Sequence, residues 1–372
     1  MHAETINFAV PTLFGLESVA ATELKRLGLA GVHAGNGRVY GSGGAADIPR
    51  LNINLRTGER VLILLGSFAA RSFDELFEGV KALPWEDYIP ADGSFPVKGH
   101  TLNSRLASEP ACQAIIKKAV ADRLTAHYHS ALTEHGSLYQ IQFSLIKDTV
   151  ALMIDSSGAG LHKRGYRGQG VLAPLRETLA AGLVLLSHYH GDGLLCDPHC
   201  GSGTIVIEAA LIAKNRAPGL DRSFACQRWG WLAGELWTQA AEEALDGEYD
   251  REYALWGGDI DPHAVHMAQR NAAAAEVDDI VSFNVLDSAR FHRAEQTGRV
   301  ITNPPYGERL LEREQAARLY AAFGKAMARM PDWRTHVLAA APDFEHSFGR
   351  SAAKKRKLYN GPIQCCYYSF YK

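Results

Sequence analysis

The chain has 372 residues, enough for two or more domains with full cores, and its 47% apolar and 22% charged content is that of an ordinary globular protein. A net charge of −2 and a pI near 6.7 exclude a globally basic nucleic-acid binder, so any such partner needs a local basic surface. There is no run of 18 apolar residues and no charged-then-apolar leader after Met1, which excludes a membrane span and predicts a cytoplasmic protein. In chain order, Ile6–Val10 reads as a strand, Leu16–Leu27 as a helix, and Val39-Tyr40 as a short strand among turn residues. Leu51–Leu55 and Arg60–Phe68 read as further strands. Phe73–Leu83 has helical spacing; Pro84, Pro90 and Pro96 mark a loop; Pro110–His129 is a longer helix. Strands at Tyr139–Leu145 and Thr149–Ile154 close a mixed α+β region near Ser156.

A locally basic linker follows, Leu161-His162-Lys163-Arg164-Gly165-Tyr166-Arg167-Gly168, whose cations and tyrosine suit a phosphate backbone or a solvated interdomain loop. From Ala173 the pattern becomes a βα series. Pro174–Tyr189 is a helix, and strand Gly193–Cys196 runs into Asp197-Pro198-His199-Cys200-Gly201-Ser202-Gly203-Thr204, with a helix at Ile205–Lys214. A glycine turn between strand and helix lets a ligand reach the backbone and the helix N-terminus, yet the spacing matches neither G-x-G-x-x-G nor a P-loop. Residues 215–250 mix Trp229, Trp231 and Trp237 with Arg216, Arg222 and Arg228, which fits packing on the sheet or a nucleic-acid contact. Tyr253–Gly257 leads to Asp259, placed where such folds bind ribose hydroxyls, and Val281–Leu286 leads to Asp287. Helix Glu314–Arg329, strand His336–Ala340 and a hairpin (Lys357–Tyr359, Gln364–Tyr371) imply an antiparallel edge on a mainly parallel sheet.

The fourth strand of the series ends in Val300-Ile301-Thr302-Asn303-Pro304-Pro305-Tyr306-Gly307. Two prolines stop the ladder and hold Asn303 extended. The Asn303 oxygen and a carbonyl near Pro304 can accept the two N–H bonds of an exocyclic amine, turning its lone pair outward, while Tyr306 stacks on the base. A plain Pro-Pro turn with Tyr306 as packing is the alternative. Cys196, His199 and Cys200 lie close in sequence, but strand-to-turn geometry points them apart and no second C-x-x-C exists, so no metal site is expected.

Asp197-Pro198-His199-Cys200-Gly201-Ser202-Gly203, Asp259, Asp287 and Asn303-Pro304-Pro305-Tyr306 at successive strand ends together resemble the class I S-adenosylmethionine-dependent methyltransferases that modify base amino groups. The basic linker, Pro174-Leu175-Arg176-Glu177-Thr178-Leu179, Asn54-Leu55-Arg56 and Ala82-Leu83-Pro84-Trp85 are similar to the THUMP-domain RNA methyltransferases, nearest the bacterial type that makes N2-methylguanosine in 23S rRNA. The resemblance implies an α/β architecture: a ferredoxin-like segment (1–60), a THUMP domain (61–156), a basic linker (157–172) and a Rossmann-like methyltransferase domain (173–372). It implies S-adenosylmethionine as cofactor, with Asp197, Gly201, Ser202 and Gly203 at its methionine side, Asp259 at the ribose and Asp287 at the adenine amine. It implies that Asn303, Pro304, Pro305 and Tyr306 carry the chemistry, with RNA as partner and no membrane. His199 departs from the family's usual Phe or Met. Open alternatives are tRNA guanine N2, adenine N6 of RNA or DNA, and a non-catalytic RNA-binding protein. A chain ending at Lys372 is expected to make a single mark.

Overall fold

The computed structural model describes residues 5–167, 175–306 and 310–371, so part of the basic linker and Gly307 lie outside the described residues. Two compact units emerge. The first comprises Met1–Thr12, Ala21–Leu161 and Arg222–Glu243; the second comprises Leu13–Ala20, His162–Asp221 and Ala244–Lys372. Helix α1 (Glu17–Arg26) runs across one of these boundaries.

The first unit is built on one seven-stranded sheet: β1 (Ile6–Pro11), β2 (Ala30–Ala34), β3 (Arg38–Gly43), β4 (Leu62–Ala69), β5 (Val97–Leu102), β6 (Ile141–Ile146) and β7 (Thr149–Asp155). The order is β2-β3-β1-β4-β7-β6-β5, so β4 joins the early strands to the later ones. Helices α2 (Asp47–Asn54), α3 (Phe73–Lys81) and α4 (Glu109–Tyr128) complete it. The Leu51–Leu55 strand expectation is corrected, because these residues lie in and just after α2. The Asp47 carboxylate accepts from the Gly44 amide at 2.8 Å, and Ile48, Leu51 and Asn52 are buried at helical spacing. A three-residue view of alternating Leu and Ile cannot tell a buried helix from a strand. Strands β2 and β5 have no expectation to meet: β2 is largely exposed and β5 alternates lysine and histidine with small residues, so neither carries a strong apolar signal.

The tryptophan-bearing part of the insertion, Arg222–Glu243, belongs to this first unit. Trp229 is buried, stacks on Tyr139 at 4.9 Å and donates from its indole to the Leu138 carbonyl at 2.9 Å. Trp231 donates to the Tyr88 carbonyl at 3.1 Å, and Arg222 caps the Ala159 and Gly160 carbonyls at 2.8 Å each. Helix α7 (Gly234–Asp246) follows, with Trp237 stacked on Phe224 at 5.3 Å. These rings are packing anchors, on the first unit's elements and not on the βα sheet of the second unit.

The second unit carries β8 (Leu194–Asp197), β9 (Ala254–Asp259), β10 (Val281–Val285), β11 (Arg299–Thr302), β12 (Arg334–Ala339), β13 (Lys354–Asn360) and β14 (Ile363–Phe370). The order is β10-β9-β8-β11-β12-β14-β13, parallel as far as β12, then antiparallel through the terminal hairpin. Strand alternation loads both faces. Leu195, Ile301, Leu338 and Tyr367 join one core with α5 (Glu177–Leu186), α6 (Thr204–Ala213) and α8 (Pro262–Ala274). Cys196, Val300, Val337 and Tyr368 join another with α9 (Leu310–Ala328) and α10 (Phe344–Phe348). Cys196 and Cys200 therefore fall in different cores.

The basic linker is used internally. Arg164 is buried in an ion pair with Glu208 at 3.4 Å, and Tyr166 donates to the same carboxylate at 3.1 Å. Arg167 donates to Thr204 Oγ1 at 2.8 Å and pairs with Glu177 at 3.4 Å. The phosphate-backbone reading is corrected for these two arginines. Their charges are committed to buried carboxylates.

The insertion's anchoring role is checked by Trp229→Ala. Loss of a stacked, buried indole is expected to cost about 3–5 kcal/mol locally, read as lost hydrogen-exchange protection in β6 and β7 with β8–β12 unchanged. Protection retained throughout would show that the ring anchors nothing.

Candidate functional site

The order of the second sheet reverses between β8 and β11, which is where open α/β sheets leave a crevice beyond the strand ends. Asp197 ends β8, Asn303 follows β11 and Asp259 ends β9. A cavity of about 710 Å³ opens there, lined in part by Gly201, Asp259, Asp287, Asn303, Pro304, Pro305 and Tyr306.

The glycine turn is shaped by two residues at positive φ, Gly201 (+52°) and Gly203 (+83°). A Cβ on Gly203 would come within 2.9 Å of Ala268, whereas one on Gly201 would meet nothing within 4 Å. Gly203 is needed for helix-to-helix approach, and Gly201 leaves the cavity side of the turn open. The Cys200 amide donates to the Gly258 carbonyl at 2.8 Å, and the Gly201 amide to Asp259 Oδ2 at 2.9 Å, tying the turn to the end of β9. Asp259 Oδ1 also accepts from the Asp261 amide at 3.0 Å, and Asp287 Oδ1 from the Ala289 amide at 2.9 Å. Each carboxylate is thus oriented by backbone and keeps lone pairs for a hydroxyl or amine. Ile260, 69% exposed, and Leu286 add apolar walls beside them. An adenosine-like group with a ribose diol and an exocyclic amine suits this donor and acceptor set.

Three expected cofactor positions stand behind the wall and not in it. Ser202 is buried, its carbonyl accepting from Asn271 Nδ2 at 2.9 Å, and Gly203 caps α6. Asp197 is 1% exposed and accepts from Thr302 Oγ1 at 2.6 Å and from the His199 amide at 3.1 Å. Burial pushes the Asp197 carboxyl up to about 7, with the Asp259 charge adding to the rise and the Thr302 and His199 bonds opposing it. His199 Nδ1 lies 3.1 Å from Thr302 Oγ1, and its ring sits edge-on to Phe323 at 5.0 Å. Since the Thr302 proton is directed at Asp197, Nδ1–H is the donor and Nε2 the bare nitrogen. Burial lowers the imidazole to about 4, so it is neutral at pH 7.

On the other side, Tyr306 donates to Asn303 Oδ1 at 2.6 Å, and Tyr320 donates to the Pro305 carbonyl at 2.6 Å. Burial holds the Tyr306 phenol far above its ordinary range, so it remains a neutral donor. Asn360 Nδ2 reaches the Tyr306 oxygen at 3.4 Å. Thr302, Tyr320 and Asn360 carried no expectation from sequence. Thr302 had a weak signal, a hydroxyl directly before Asn303; Asn360, 57 residues further on by numbering, had none beyond being a turn former. A second cavity of about 770 Å³ shares Tyr306, Pro362 and Ile363 with the first and adds Tyr320, Asp343 and Ser347.

Comparison with known proteins follows this geometry. Residues 164–369 match the RMKL-like methyltransferase domain, 7–62 the RlmL ferredoxin-like domain and 70–155 the THUMP domain. The chain belongs to the RMKL-like methyltransferase family. It is similar to the Bacillus subtilis protein named "Putative RNA methyltransferase YpsC", 42% identical over 96% of this chain and 94% of that one. It is also similar to the ribosomal RNA large subunit methyltransferase K/L of Psychromonas ingrahamii, 33% identical over 97% of this chain and 49% of the relative. The chain thus spans about half the length of the K/L protein it matches. Among solved structures, SMU.472 complexed with SAH has a TM-score of 0.94 at 40% identity, covering 99% of this chain and 98% of that one. A Listeria monocytogenes protein described as a predicted N6-adenine-specific DNA methylase has a TM-score of 0.94 at 44% identity, covering 99% and 96%. This RMKL-like chain is an S-adenosylmethionine-dependent RNA methyltransferase: α/β in class, with ferredoxin-like and THUMP regions before a class I methyltransferase domain. Among the described residues, no helix is long and apolar enough to cross a membrane.

The Asp197 carboxyl sets a pH signature. Its folded value, about 7, exceeds the ordinary 3.8, so its stability contribution is full below about 3.8 and is lost as pH rises through 7. Asp197→Asn keeps an acceptor for Thr302 and removes that loss. The variant is expected to gain on wild type between pH 5 and pH 8, by at most about 4 kcal/mol, in urea unfolding without cofactor. A stability gap that does not move with pH would contradict the assignment.

Proposed function

We propose that this RNA methyltransferase transfers a methyl group to the exocyclic N2 amine of a guanosine in 23S rRNA, in the cytoplasm where that RNA is assembled. The observation that carries the reading is the Asn303-Pro304-Pro305-Tyr306 strand end, which lines the first cavity and shares Tyr306 with the adjoining one. One takes the cofactor and the other the extruded base. The K/L relative's name supports a large-subunit rRNA acceptor, and the RlmL description of residues 7–62 points the same way.

Each site residue is given a role on that basis. Gly201 opens the turn to the methionine side, Asp259 accepts from the ribose hydroxyls, and Asp287 accepts from the adenine amine. Asp197, Ser202 and Gly203 hold the turn in shape from behind. When bound, S-adenosylmethionine supplies a methyl group activated by a positively charged sulfur. Asn303 Oδ1 has a second lone pair beside the one that meets Tyr306, and with the Pro304 carbonyl it accepts both N–H bonds of the target amine. Both protons are then held in the plane of the base, and the nitrogen lone pair faces the neighbouring cavity. Tyr306 stacks on the base, and Tyr320 fixes the Pro305 carbonyl so that the cage cannot relax. Positioning is the catalytic device, and no strong base is required.

Guanine over adenine is supported by Asp343 on the wall of the second cavity. Beside its amine, guanine presents N1–H, which a carboxylate accepts; adenine presents a bare N1, which a carboxylate repels. The adenine reading is favoured by the Listeria protein, described as a predicted N6-adenine-specific DNA methylase, and is separated by direct test.

Methyl transfer from labelled S-adenosylmethionine to 23S rRNA lacking the mark, followed by nucleoside digestion, is expected to place label in N2-methylguanosine. Asn303→Ala is expected to reduce the rate by about 10²-fold or more with cofactor affinity unchanged. Label in tRNA moves the acceptor, label in N6-methyladenosine refutes the guanine reading, and cofactor binding with no label in any RNA refutes the enzyme reading. A target carrying 2-aminopurine, which keeps the N2 amine but lacks N1–H, is expected to react poorly with wild type and to gain with Asp343→Asn. Equal reaction of guanine and 2-aminopurine would remove Asp343 from the recognition.

A further inference from the structure

The last hairpin carries the run Lys354-Lys355-Arg356-Lys357 on β13, the outermost strand of the second sheet. In a chain of net charge −2, four consecutive cations on an edge are a local reversal of sign. Lys354, Lys355 and Lys357 are exposed. Two of the four are held internally: Lys355 pairs with Glu345 at 2.9 Å, and Arg356 donates to Ser18 Oγ at 3.0 Å. Among the described residues, neither Lys354 nor Lys357 forms an ion pair.

Edge lysines by themselves guard against pairing with another strand. Two further features go beyond that role. Phe14 is 52% exposed and meets Tyr359 edge-on at 6.3 Å, while the Lys357 ammonium sits 5.4 Å from the Tyr359 ring. An exposed aromatic beside a cation is a poor surface for solubility and a good one for a nucleobase next to its phosphate. The strand also ends at Asn360, which lines the first cavity and reaches the Tyr306 oxygen. From Lys354 to Asn360 is six residue steps, roughly 20 Å at about 3.3 Å each. That span covers several nucleotides.

We propose that this edge, with Lys357, Tyr359 and neighbouring Phe14 on one side of β13 and Lys354 on the other, is the RNA-docking surface of the catalytic unit, holding the single strand that flanks the extruded target base. The lysines contact phosphates and the aromatic pair stacks a neighbouring base. The strand direction then delivers the target nucleotide to Asn303 and Tyr306. The inference rests on the reading of that cage as the methyl-transfer site.

The test uses the full chain and protein-free 23S rRNA transcribed in vitro, with RNA affinity measured across salt concentrations alongside methyl transfer. Lys354→Glu with Lys357→Glu is expected to weaken RNA binding tenfold or more and to flatten the log–log salt slope by about 1.4, two phosphate contacts at about 0.7 each. Cofactor affinity and the rate at saturating RNA are expected to stay near wild type. Phe14→Ala is expected to weaken binding about tenfold with the salt slope unchanged, because stacking releases no counterions. Unchanged affinity and slope in the double variant, with aggregation rising instead, would overturn the proposal and leave the lysines as edge guards. Wild-type protein that binds RNA with this salt dependence yet transfers no methyl group would support the docking edge while removing the catalytic reading.

Discussion

The second unit depends on one hydroxyl group. Thr302 Oγ1, at the end of β11, bonds Asp197 at the end of β8 and meets His199 in the turn that follows β8. These two strands are parallel neighbours at the point where the sheet order reverses, so no crossover helix covers their ends. The crevice would be free to spread without a polar tie across it. A buried carboxyl, a hydroxyl and a neutral imidazole supply that tie in a place of low dielectric, where an unmade bond is costly. The glycine turn and the Asn303 strand end are thereby held at a set separation. For a transfer that proceeds by alignment, that separation is the main thing the protein contributes.

A similar economy governs charge. The arginines of the linker sit against Glu208 and Glu177, and Arg216 is shared among Asp221, Glu248 and Glu276. Cations that look available for RNA in the sequence are therefore structural, fixing α5 and α6 at the rear of the turn. Exposed cations lie elsewhere, on β13, the last strand in the order of the second sheet. Net charge near zero conceals this division, because buried pairs and exposed patches enter the sum alike.

Much of the site was legible in sequence because its chemistry is local. Pro304 and Pro305 end a strand whatever surrounds them, and glycines at 201 and 203 announce positive φ before any packing is known. Asp259, Asp287 and Asn303 were findable because each lies at or within two residues of the end of an apolar strand, and the three line one cavity. The βα rhythm and the closing hairpin were equally plain in their apolar periodicity. Leu51–Leu55 was misread because five residues with alternating apolar character satisfy both periods, and only the Asp47 bond back to the Gly44 amide and burial of Ile48 and Leu51 decide for helix.

What sequence alone determined here is the class of chemistry, with a glycine turn, two acids and the Asn303-Pro304-Pro305-Tyr306 strand end in the order of a doubly wound sheet. Tertiary structure decided which groups face the ligand and which stand behind it. It withdrew Asp197 into the interior, since a carboxyl's role follows its solvation and partners and neither is local in the chain. It assigned Trp229 and Trp231 to the first unit, and it brought Asn360 and Tyr320 to the Asn303 motif. Such contacts between distant residues are set by how strands and helices pack, and that packing maximises buried apolar area and minimises unmet polar groups over the whole chain at once. No short stretch of sequence carries that information.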